Sequence, residues 1–440
     1  MNSQDFLKGK TILVTGAAGF LAKVFVEKIL RIQPEIQKLY LLLRASNTDL
    51  AENRLRNEVF EIDLFRVLRA KWGENFSSFI SKKVVAIAGD VAIENLGIKD
   101  EKLKREIFEE IDLLVHFAAS TKFDERFDIL MAVNTQGALH ALNVAKNCKR
   151  IKAFVHISTA YVCGDAKDGD SIILRENPFE MGESLKGTSK LDIHEEMNLL
   201  ERKLAELQAM NVDENTITCA MKDYGMERTI DSLIYAYGHG KVKCFLGNPK
   251  TVIDAIPADM VINCVITAIF IHSSNQRPKN FIYHISSSLR NPLKSSDLHN
   301  ICHRYFMKTP CVNQNGKPII ISKGIPVNSF AVFNIYVLVR YVLLLMILNL
   351  VNKICRHSFQ DVYEKNSRNL RMLQRLAKLY KPYVFFKSIF DDTNTEILRM
   401  ATKGYLKMEN EEFNFDPTSI DWTDYMMNTH IPGLIKYQTR

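Results

Sequence analysis

The segment Lys10–Lys23 reads K-T-I-L-V-T-G-A-A-G-F-L-A-K, and it decides the fold of this chain. Its first part, 11–14, is a short apolar, β-branched run that is typical of a buried parallel strand. Gly16 and Gly19 interrupt the run, and apolar residues then recur with a helical period over 20–32. Strand, glycine turn and helix in this order form the dinucleotide-binding pattern T-G-x-x-G-x-x-A.

The two glycines of this pattern have a chemical role. They let the backbone approach a pyrophosphate, while the N-terminus of the following helix offers free N–H groups and a positive dipole end. Gly16, Gly19, Phe20 and Leu21 are therefore predicted to bind the pyrophosphate. Because a strand precedes the pattern and a helix follows it, a nucleotide site is favoured over an ordinary strand–helix turn.

Composition and charge limit the class of protein. The 440 residues suffice for two or three domains, and an apolar fraction of 47% is ordinary for a globular protein. The formal charge of +8 is spread along the chain without the basic runs expected of a nucleic-acid binder. The 8 cysteines include no C-x-x-C pair, so neither a zinc site nor a disulfide framework is indicated.

Further strand-like runs alternate with helical segments after the first helix. Four such alternations in a row predict an α/β fold, a doubly wound Rossmann-like parallel sheet with right-handed crossovers. A late strand at Phe281–Ile285 is expected to close this part. The runs are Leu39–Leu43, Val84–Ala88, Ile111–Phe117 and Ile151–Ile157.

Polar residues at the ends of these strands predict the ligand. Arg44 ends the second strand, where an arginine accommodates the 2′-phosphate of NADP, although an ordinary surface arginine remains an alternative. Asp90 and Val91 follow the third strand and are expected beside the adenine. Thr159 follows the fifth strand, where a hydroxyl facing the crevice could polarise a carbonyl substrate. These residues favour NADPH and a carbonyl substrate.

The motifs together resemble a known family. With H-F-A-A-S at 116–120 and H-I-S-T-A-Y-V-C-G at 156–164, the chain resembles the extended short-chain dehydrogenases. More narrowly, T-G-A-A-G-F-L-A-K at 15–23, L-Y-L-L-L-R at 39–44 and P-A-D-M at 257–260 resemble a plant-type alcohol-forming fatty acyl-CoA reductase. The resemblance also includes the C-terminal half and so covers nearly the whole chain.

This resemblance implies a function and a domain organisation. The family uses NADPH to reduce a long-chain acyl-CoA through the aldehyde to a primary alcohol, which supplies waxes. It implies an NADPH-binding Rossmann-like domain over 1–288 and a mostly helical acyl-binding domain over 289–440. Arg44 would then hold the 2′-phosphate and Thr159 would hydrogen-bond the acyl carbonyl. Peripheral membrane association and a dimer, with itself or an intact relative, are further expectations.

The start of the chain indicates its location. The N-terminus is polar and reaches the first strand within ten residues, which leaves no room for a signal or transit peptide. We therefore expect the protein in the cytosol or at the cytosolic face of the endoplasmic reticulum.

The chain departs from the family pattern near Arg228–Thr229. There the family would place a helix bearing Tyr-x-x-x-Lys, then a strand and a loop. In the family that tyrosine protonates the carbonyl oxygen, and the lysine lowers the tyrosine pKa and holds the nicotinamide ribose. Residues with related spacing are more consistent with structural roles, since they sit beside two glycines, pair with arginine or lie in an apolar segment. They are Tyr237 with Lys241, Tyr224 with Arg228, and Tyr336 with Arg340.

The missing pair predicts a shorter sheet with an unpaired edge and little or no reductase activity. NADPH binding is still expected, because the first five strands carry the cofactor residues. Two alternatives stay open: a non-catalytic NADPH-binding or scaffold paralogue, and an incomplete gene model of an active reductase. A sugar-nucleotide epimerase or steroid dehydrogenase fits less well, since both also need the tyrosine.

Two further features are given structural interpretations. The apolar segment 325–351 is long enough to cross a bilayer, but Arg340 in its middle would cost about 2.5–3.5 kcal/mol on insertion scales. A helix in the membrane interface, or one buried in a C-terminal bundle, is favoured over a span. His299 and His303 are four residues apart on a predicted helix, but no third ligand is evident, so no metal site is predicted.

Overall fold

Five parallel strands form one sheet in the order β3-β2-β1-β4-β5. The computed structural model describes residues 6–121, 125–163, 172–178, 192–210, 212–224, 234, 237–238, 244–274, 281–313, 315–406 and 411–438. The predicted doubly wound parallel sheet is confirmed. The strands are β1 (Thr11–Thr15), β2 (Lys38–Arg44), β3 (Val84–Gly89), β4 (Leu113–His116) and β5 (Ala153–His156).

The helices of the first half are α1 (Phe20–Ile32), α2 (Thr48–Arg54), α3 (Arg66–Trp72), α4 (Phe76–Lys83), α5 (Glu101–Glu110), α6 (Phe127–Leu130), α7 (Gly137–Asn147), α8 (Ile193–Ala209) and α9 (Glu214–Tyr224). Those of the second half are α10 (Ala258–Ser274), α11 (Ser295–Lys308), α12 (Phe330–Val337), α13 (Leu343–Ile354), α14 (Gln360–Val384), α15 (Thr393–Leu406), α16 (Trp422–Tyr425) and α17 (Ile431–Gln438). The predicted mostly helical C-terminal part is confirmed.

Alternating side chains of β1 enter two separate cores, one on each face of the sheet. Ile12 and Val14 pack with apolar residues of α1 and α10, whereas Leu13 packs with residues of α5 and α7. This is the burial expected of a strand covered by helices on both faces, and it explains the continuous apolar run in the sequence.

The register of the sheet brings the strand ends to one edge. Thr15 lies opposite His116, which lies opposite His156, while Arg44 lies opposite Gly89. The order of the strands reverses beside β1, and ligands of such sheets bind outside the carboxyl ends at that point. The segments that follow β1 to β5 therefore face one crevice.

The sheet ends at β5. In the part of the chain that the structure describes, β5 pairs only with β4. Its residues are half-buried or exposed, whereas every residue of β4 is buried. The junction Arg228–Thr229 lies outside the described residues.

The prediction of a late strand at Phe281–Ile285 is wrong. Side chains from distant segments bind this backbone instead of a neighbouring strand. The amide of His284 donates to Glu176 at 2.6 Å, and the Asn394 side chain donates to the carbonyl of Ile282 at 3.0 Å. These contacts occupy the groups that strand pairing would have used.

Three pairs of short strands connect distant parts of the chain. They are β6 (Ile173–Leu174) with β11 (Ile389–Phe390), β7 (Cys244–Leu246) with β10 (Ile325–Val327), and β8 (Val252–Ile253) with β9 (Leu293–Lys294). All three pairs cross residue 288, so the C-terminal part is joined to the first part by backbone hydrogen bonds. The first residues of the apolar segment 325–351 form β10. The helix of this segment therefore begins only at Phe330, and it runs to Ile354.

Candidate functional site

The turn after β1 has room only for glycine. Gly16 has a φ of +68°, and a Cβ atom there would lie 2.7 Å from the backbone of Ala118. A Cβ on Gly19 would lie 3.0 Å from the carbonyl oxygen of Gly16, which accepts the Gly19 amide at 2.7 Å. Such a narrow, side-chain-free turn fits the close approach of a pyrophosphate.

The N-terminus of α1 lies directly after this turn. Gly19 is its N-cap residue, no side chain caps the first turn, and no acidic residue lies there. The first-turn N–H groups are therefore left for an anion, together with the positive end of the helix dipole. Phe20 is 71% exposed and Leu21 is half-buried. The structure thus brings Gly16, Gly19, Phe20 and Leu21 together.

The predicted 2′-phosphate residue is exposed at the end of β2. Arg44 makes no ion pair with any residue that the structure describes. Its carbonyl oxygen accepts a hydrogen bond from Arg54 at 2.7 Å, and Arg54 also binds Glu58 through two hydrogen bonds of 2.6 and 2.7 Å. The Arg54 hydrogen bond lowers the pKa of Glu58. Glu58 thus compensates the charge of Arg54, and the charge of Arg44 is left facing solvent. The contact of Arg54 with this strand end was not predicted from the sequence.

The two residues predicted beside the adenine differ in exposure. Asp90 is half-buried, and its carboxylate accepts the amide of Ala92 at 3.0 Å. Val91 is 7% exposed, because a glycine at 137 lets α7 pack directly on it. The Val91 side chain is therefore part of the core, and the placement of Asp90 and Val91 beside an adenine stays a prediction.

Thr159 is exposed just beyond β5, as expected from the sequence. Its hydroxyl oxygen accepts the amide of Tyr161 at 3.3 Å. That bond uses the oxygen as an acceptor, so the hydroxyl hydrogen can be donated to a carbonyl oxygen. The position fits the proposed role of polarising a carbonyl.

Two stacked histidines, the buried His116 and the exposed His156, lie at the ends of β4 and β5, and no role for them was predicted from the sequence. The Thr15 hydroxyl and His116 Nδ1 are 2.7 Å apart, and the same hydroxyl accepts the amide of Ala118 at 3.3 Å. The rings of His116 and His156 stack at 5.1 Å. Burial, followed by the charge of His156, lowers the pKa of His116 to about 4. The sequence pattern that could have indicated this pair is that His116 and His156 each begin a motif at the end of a strand.

This pKa predicts a loss of stability in acid. Since the folded-state pKa is below the ordinary value of 6.5, the unfolded chain binds more protons as pH falls from 6.5 to about 4. The expected loss is about 3 kcal/mol of unfolding free energy over that range. His116→Gln should remove much of this slope in urea unfolding at pH 7 and pH 4.5. His194→Gln, at an exposed position on α8, should keep it; equal slopes for both variants would contradict the assignment.

Asn134 fixes the segment after β4. Its side-chain oxygen accepts the amide of Ser120 at 2.7 Å, and its side-chain nitrogen donates to the Ser120 carbonyl at 3.1 Å. The two bonds hold the backbone that borders the crevice. This role of Asn134 could not be predicted from the sequence, because it depends on contact between separate elements.

The tyrosines considered as substitutes occupy structural positions. Tyr237 is buried, its hydroxyl lies 3.0 Å from His303 Nδ1 and donates to the Ser322 carbonyl at 3.0 Å, and burial raises its pKa to about 12. Tyr336 packs against Tyr341 at 6.1 Å. The side chain of Tyr224, together with Arg228 and Lys241, lies outside the described residues.

Tyr161 lies close to Thr159 but is held in an aromatic cluster. Its ring is 5.4 Å from Tyr383 and 5.1 Å from both Phe386 and Phe390. Burial raises its pKa well above the ordinary value, and the charge of Asp254 adds to the shift. Tyr161 therefore joins the C-terminal part to the candidate site and is a poor proton donor.

The histidines on α11 contact protein groups. His299 Nε2 lies against the Lys323 carbonyl, and His303 lies against Tyr237. Among the residues that the structure describes, no group of three or more His, Cys, Asp or Glu side chains could hold a metal ion.

Comparison with solved structures identifies the fold. The terminal R domain from the myxalamid PKS-NRPS biosynthetic pathway matches with a TM-score of 0.57 and 16% identity, over 98% of this chain and 92% of that one. The reductase domain of a nonribosomal peptide synthetase from Mycobacterium tuberculosis matches with a TM-score of 0.52 and 16% identity, over 97% and 93%. At this identity the likeness concerns the Rossmann-like fold.

Comparison with protein families and curated sequences identifies the family. A NAD-binding family described as male sterility protein matches residues 14–265, and a second family with that description matches 340–440. "Fatty acyl-CoA reductase 1" of Arabidopsis thaliana is 43% identical over 491 positions, covering 99% of both chains. "Alcohol-forming fatty acyl-CoA reductase" of Simmondsia chinensis is 41% identical over 487 positions, covering 98% of both.

These alignments are longer than the chain. The alignment with the Arabidopsis relative runs over 491 positions although this chain has 440 residues, so at least 51 aligned positions hold no residue of this chain. The relative thus has at least 51 residues without a counterpart here. By near-full-length similarity and by its NAD-binding domain, the chain belongs to the fatty acyl-CoA reductase family.

Proposed function

We propose that this chain binds NADPH in the crevice at the carboxyl ends of β1 to β5 but reduces long-chain fatty acyl-CoA to fatty alcohol slowly or not at all. One observation carries the proposal: the glycine cradle after β1 is complete, whereas the described sheet ends at β5. In this proposal the protein keeps the part of the family's site that binds the cofactor and has lost the part that donates the proton.

The residues of the cradle fit a dinucleotide. Gly16 and Gly19 leave the space that a pyrophosphate would take, and the uncapped N-terminus of α1 would bind its charge. Arg44 would pair with the 2′-phosphate, because its guanidinium is exposed at the end of β2. Asp90 would lie beside the adenine.

Reduction of an acyl-CoA to the alcohol takes two steps, the first of which releases CoA and leaves the aldehyde, and each step needs one hydride and one proton. Bound NADPH supplies the hydride for the acyl carbonyl carbon. The Thr159 hydroxyl would donate a hydrogen bond to the carbonyl oxygen and stabilise the negative charge that develops there. That charge must then be neutralised by a proton, which in the family comes from a tyrosine whose pKa is lowered by a lysine. Without that pair, Thr159 polarises the carbonyl but the proton transfer is slow.

The number of aligned positions without a residue of this chain supports the loss of this pair. At least 51 positions are enough for a helix with Tyr-x-x-x-Lys, a following strand and a loop. We place the gap at Arg228–Thr229, since the sequences on its two sides match parts that the family separates. A lost strand there also accounts for the half-exposed residues of β5.

The gap favours a second candidate, in which the gene contains a segment that this chain lacks. Sequencing transcripts across the codons for Arg228 and Thr229 distinguishes the two. A transcript that encodes Tyr-x-x-x-Lys between them would make the full product an active reductase. Transcripts that join the two codons directly support the proposal.

The cofactor preference tests the first half of the proposal. Arg44→Ala should weaken NADPH binding about 10- to 100-fold, because a charge-assisted hydrogen bond to phosphate is lost, and should leave NADH binding unchanged. Calorimetric titration of the full chain measures both. Arg105→Ala, an exposed arginine on α5 away from the strand ends, is the matched control. An equal loss for NADH, or tight NADPH binding by Arg44→Ala, contradicts the role of Arg44.

A further inference from the structure

The helix Phe330–Ile354, here called the apolar helix, is exposed over most of its surface. It has 25 residues, and only 11% of its most apolar 18-residue window is buried. Exposed apolar residues recur along it at intervals of three or four, so they form one continuous stripe. They are Val332, Ile335, Val339, Leu343, Met346, Leu350 and Ile354. Soluble monomers seldom leave so long an apolar face uncovered.

The antiparallel helix α14 covers the opposite side along the whole length of the apolar helix. At the far end the Asn352 side chain donates to Gln360 at 2.8 Å and accepts the amide of Phe359 at 2.9 Å. In the middle, Leu370 and Leu373 pack in the same cluster as Tyr341 and Val342. The two helices form one hairpin, 330–384, with an apolar outer face.

The near end of the hairpin lies close to the candidate site. Lys381 lies over the Phe330 ring at 5.0 Å, and Tyr383 packs against Tyr161 at 5.4 Å. Tyr161 is two residues beyond Thr159. If a surface binds the hairpin, the crevice at the carboxyl ends of the strands is therefore kept at a fixed distance from that surface.

Charges exclude a transmembrane arrangement of this hairpin. If the apolar helix crossed a bilayer, α14 would cross with it, because the two are packed from end to end. The exposed charged residues of α14 would then enter the hydrocarbon, each at a cost of several kcal/mol. They are Asp361, Glu364, Lys365, Arg368, Arg371 and Lys381. A position flat on the membrane, with α14 on the water side, keeps all of them hydrated.

The charges near the apolar face are all positive. Between 330 and 360 the chain has Arg340, Lys353 and Arg356 and no acidic residue, and all three side chains are exposed. Long basic side chains reach from an apolar surface to lipid phosphates. A second copy of the same face would instead bring two Arg340 side chains into one apolar interface without a counter-charge. The charges thus favour an anionic bilayer over self-association.

We propose that the apolar helix Phe330–Ile354 is a membrane-docking element that lies in the plane of an anionic lipid surface, with its apolar stripe in the acyl boundary and Arg340, Lys353 and Arg356 at the phosphates. The interaction depends on buried apolar area and on charge. It requires neither the cofactor nor the substrate, so its test is independent of the reductase activity.

Flotation of the purified full chain with lipid vesicles tests the proposal. Wild-type protein should float with vesicles of phosphatidylcholine mixed with phosphatidylserine and less with phosphatidylcholine alone. Leu343→Asp/Leu350→Asp should lower partitioning at least about tenfold, since two exposed apolar side chains leave the acyl boundary. Ile397→Asp/Met400→Asp adds the same charge at exposed positions of α15 and should float like wild type.

A second variant, Lys353→Glu/Arg356→Glu, tests the contribution of charge to vesicle binding. This variant should lose about tenfold or more on phosphatidylserine vesicles and be unchanged on phosphatidylcholine, because each basic residue contributes about 1 kcal/mol at an anionic surface. NADPH titration and circular dichroism establish that each variant is folded. Wild type that does not float, or Leu343→Asp/Leu350→Asp that floats equally, overturns the proposal. A wild-type dimer that this variant converts to monomer, without flotation of either, assigns the face to a second copy instead.

Discussion

Given NADPH and a long-chain acyl-CoA, the purified protein is expected to form fatty alcohol at least about 100-fold more slowly than the alcohol-forming Simmondsia relative of 41% identity. The reason is the proton: a positioned general acid contributes about 10²- to 10⁴-fold to such a step. The described tyrosines near the family's motifs do not replace it, since Tyr161 is half-buried in an aromatic cluster, Tyr237 is buried, and desolvation raises the pKa of both. Product analysis by gas chromatography measures the rate.

Two controls separate a missing proton donor from a misfolded protein. NADPH titration should show binding in the same preparation, because the cradle of Gly16 and Gly19 is complete. A chimera with the relative's additional segment inserted between Arg228 and Thr229 should gain alcohol formation, and Thr159→Ala in that chimera should lose it again. Alcohol formation by the unmodified chain at the relative's rate would overturn the proposal.

Gly16→Ala is expected to abolish NADPH binding and to lower the unfolding free energy by about 3 kcal/mol or more. The left-handed φ of +68° costs an alanine about 1–2 kcal/mol. The remainder comes from overlap, since the new Cβ would lie 2.7 Å from the backbone of Ala118 and one of the two segments must move. Urea unfolding and NADPH titration measure the two effects.

Gly9→Ala is a matched control for this prediction. Gly9 has a similar φ of +65°, but a Cβ atom there meets nothing within 4 Å. Its substitution should cost only the backbone strain of about 1–2 kcal/mol and leave NADPH binding unchanged. Equal effects of the two substitutions would show that the close approach of β1 and β4 does not shape the site.

Several elements could be predicted from the sequence because their causes are local. The β-branched run of β1, the glycine turn and the apolar period of α1 each depend on neighbouring residues, and the structure has them as expected. The exposed positions of Arg44 and Thr159 follow from their places at strand ends. The alternation of strands and helices then leads to the parallel sheet through the right-handed crossover rule.

Other features could not be predicted because they depend on contacts between distant residues. Val91 follows a strand, as expected, but the packing of α7 buries it. The segment Phe281–Ile285 has the apolar character of a strand, yet Glu176 and Asn394 bind its backbone. A sequence pattern contains no information about which distant side chain reaches a given amide.

By itself the sequence determined the glycine turn after β1 and the absence of a suitably placed Tyr-x-x-x-Lys, since glycine sterics and residue spacing are properties of short segments. Only the tertiary structure decided which apolar surface is covered. It packed Tyr161 against Phe386 and Phe390 and left the stripe of the apolar helix Phe330–Ile354 exposed. Whether an apolar residue is buried depends on its three-dimensional neighbours. Two apolar segments can therefore differ, one packing inside the protein and the other remaining exposed.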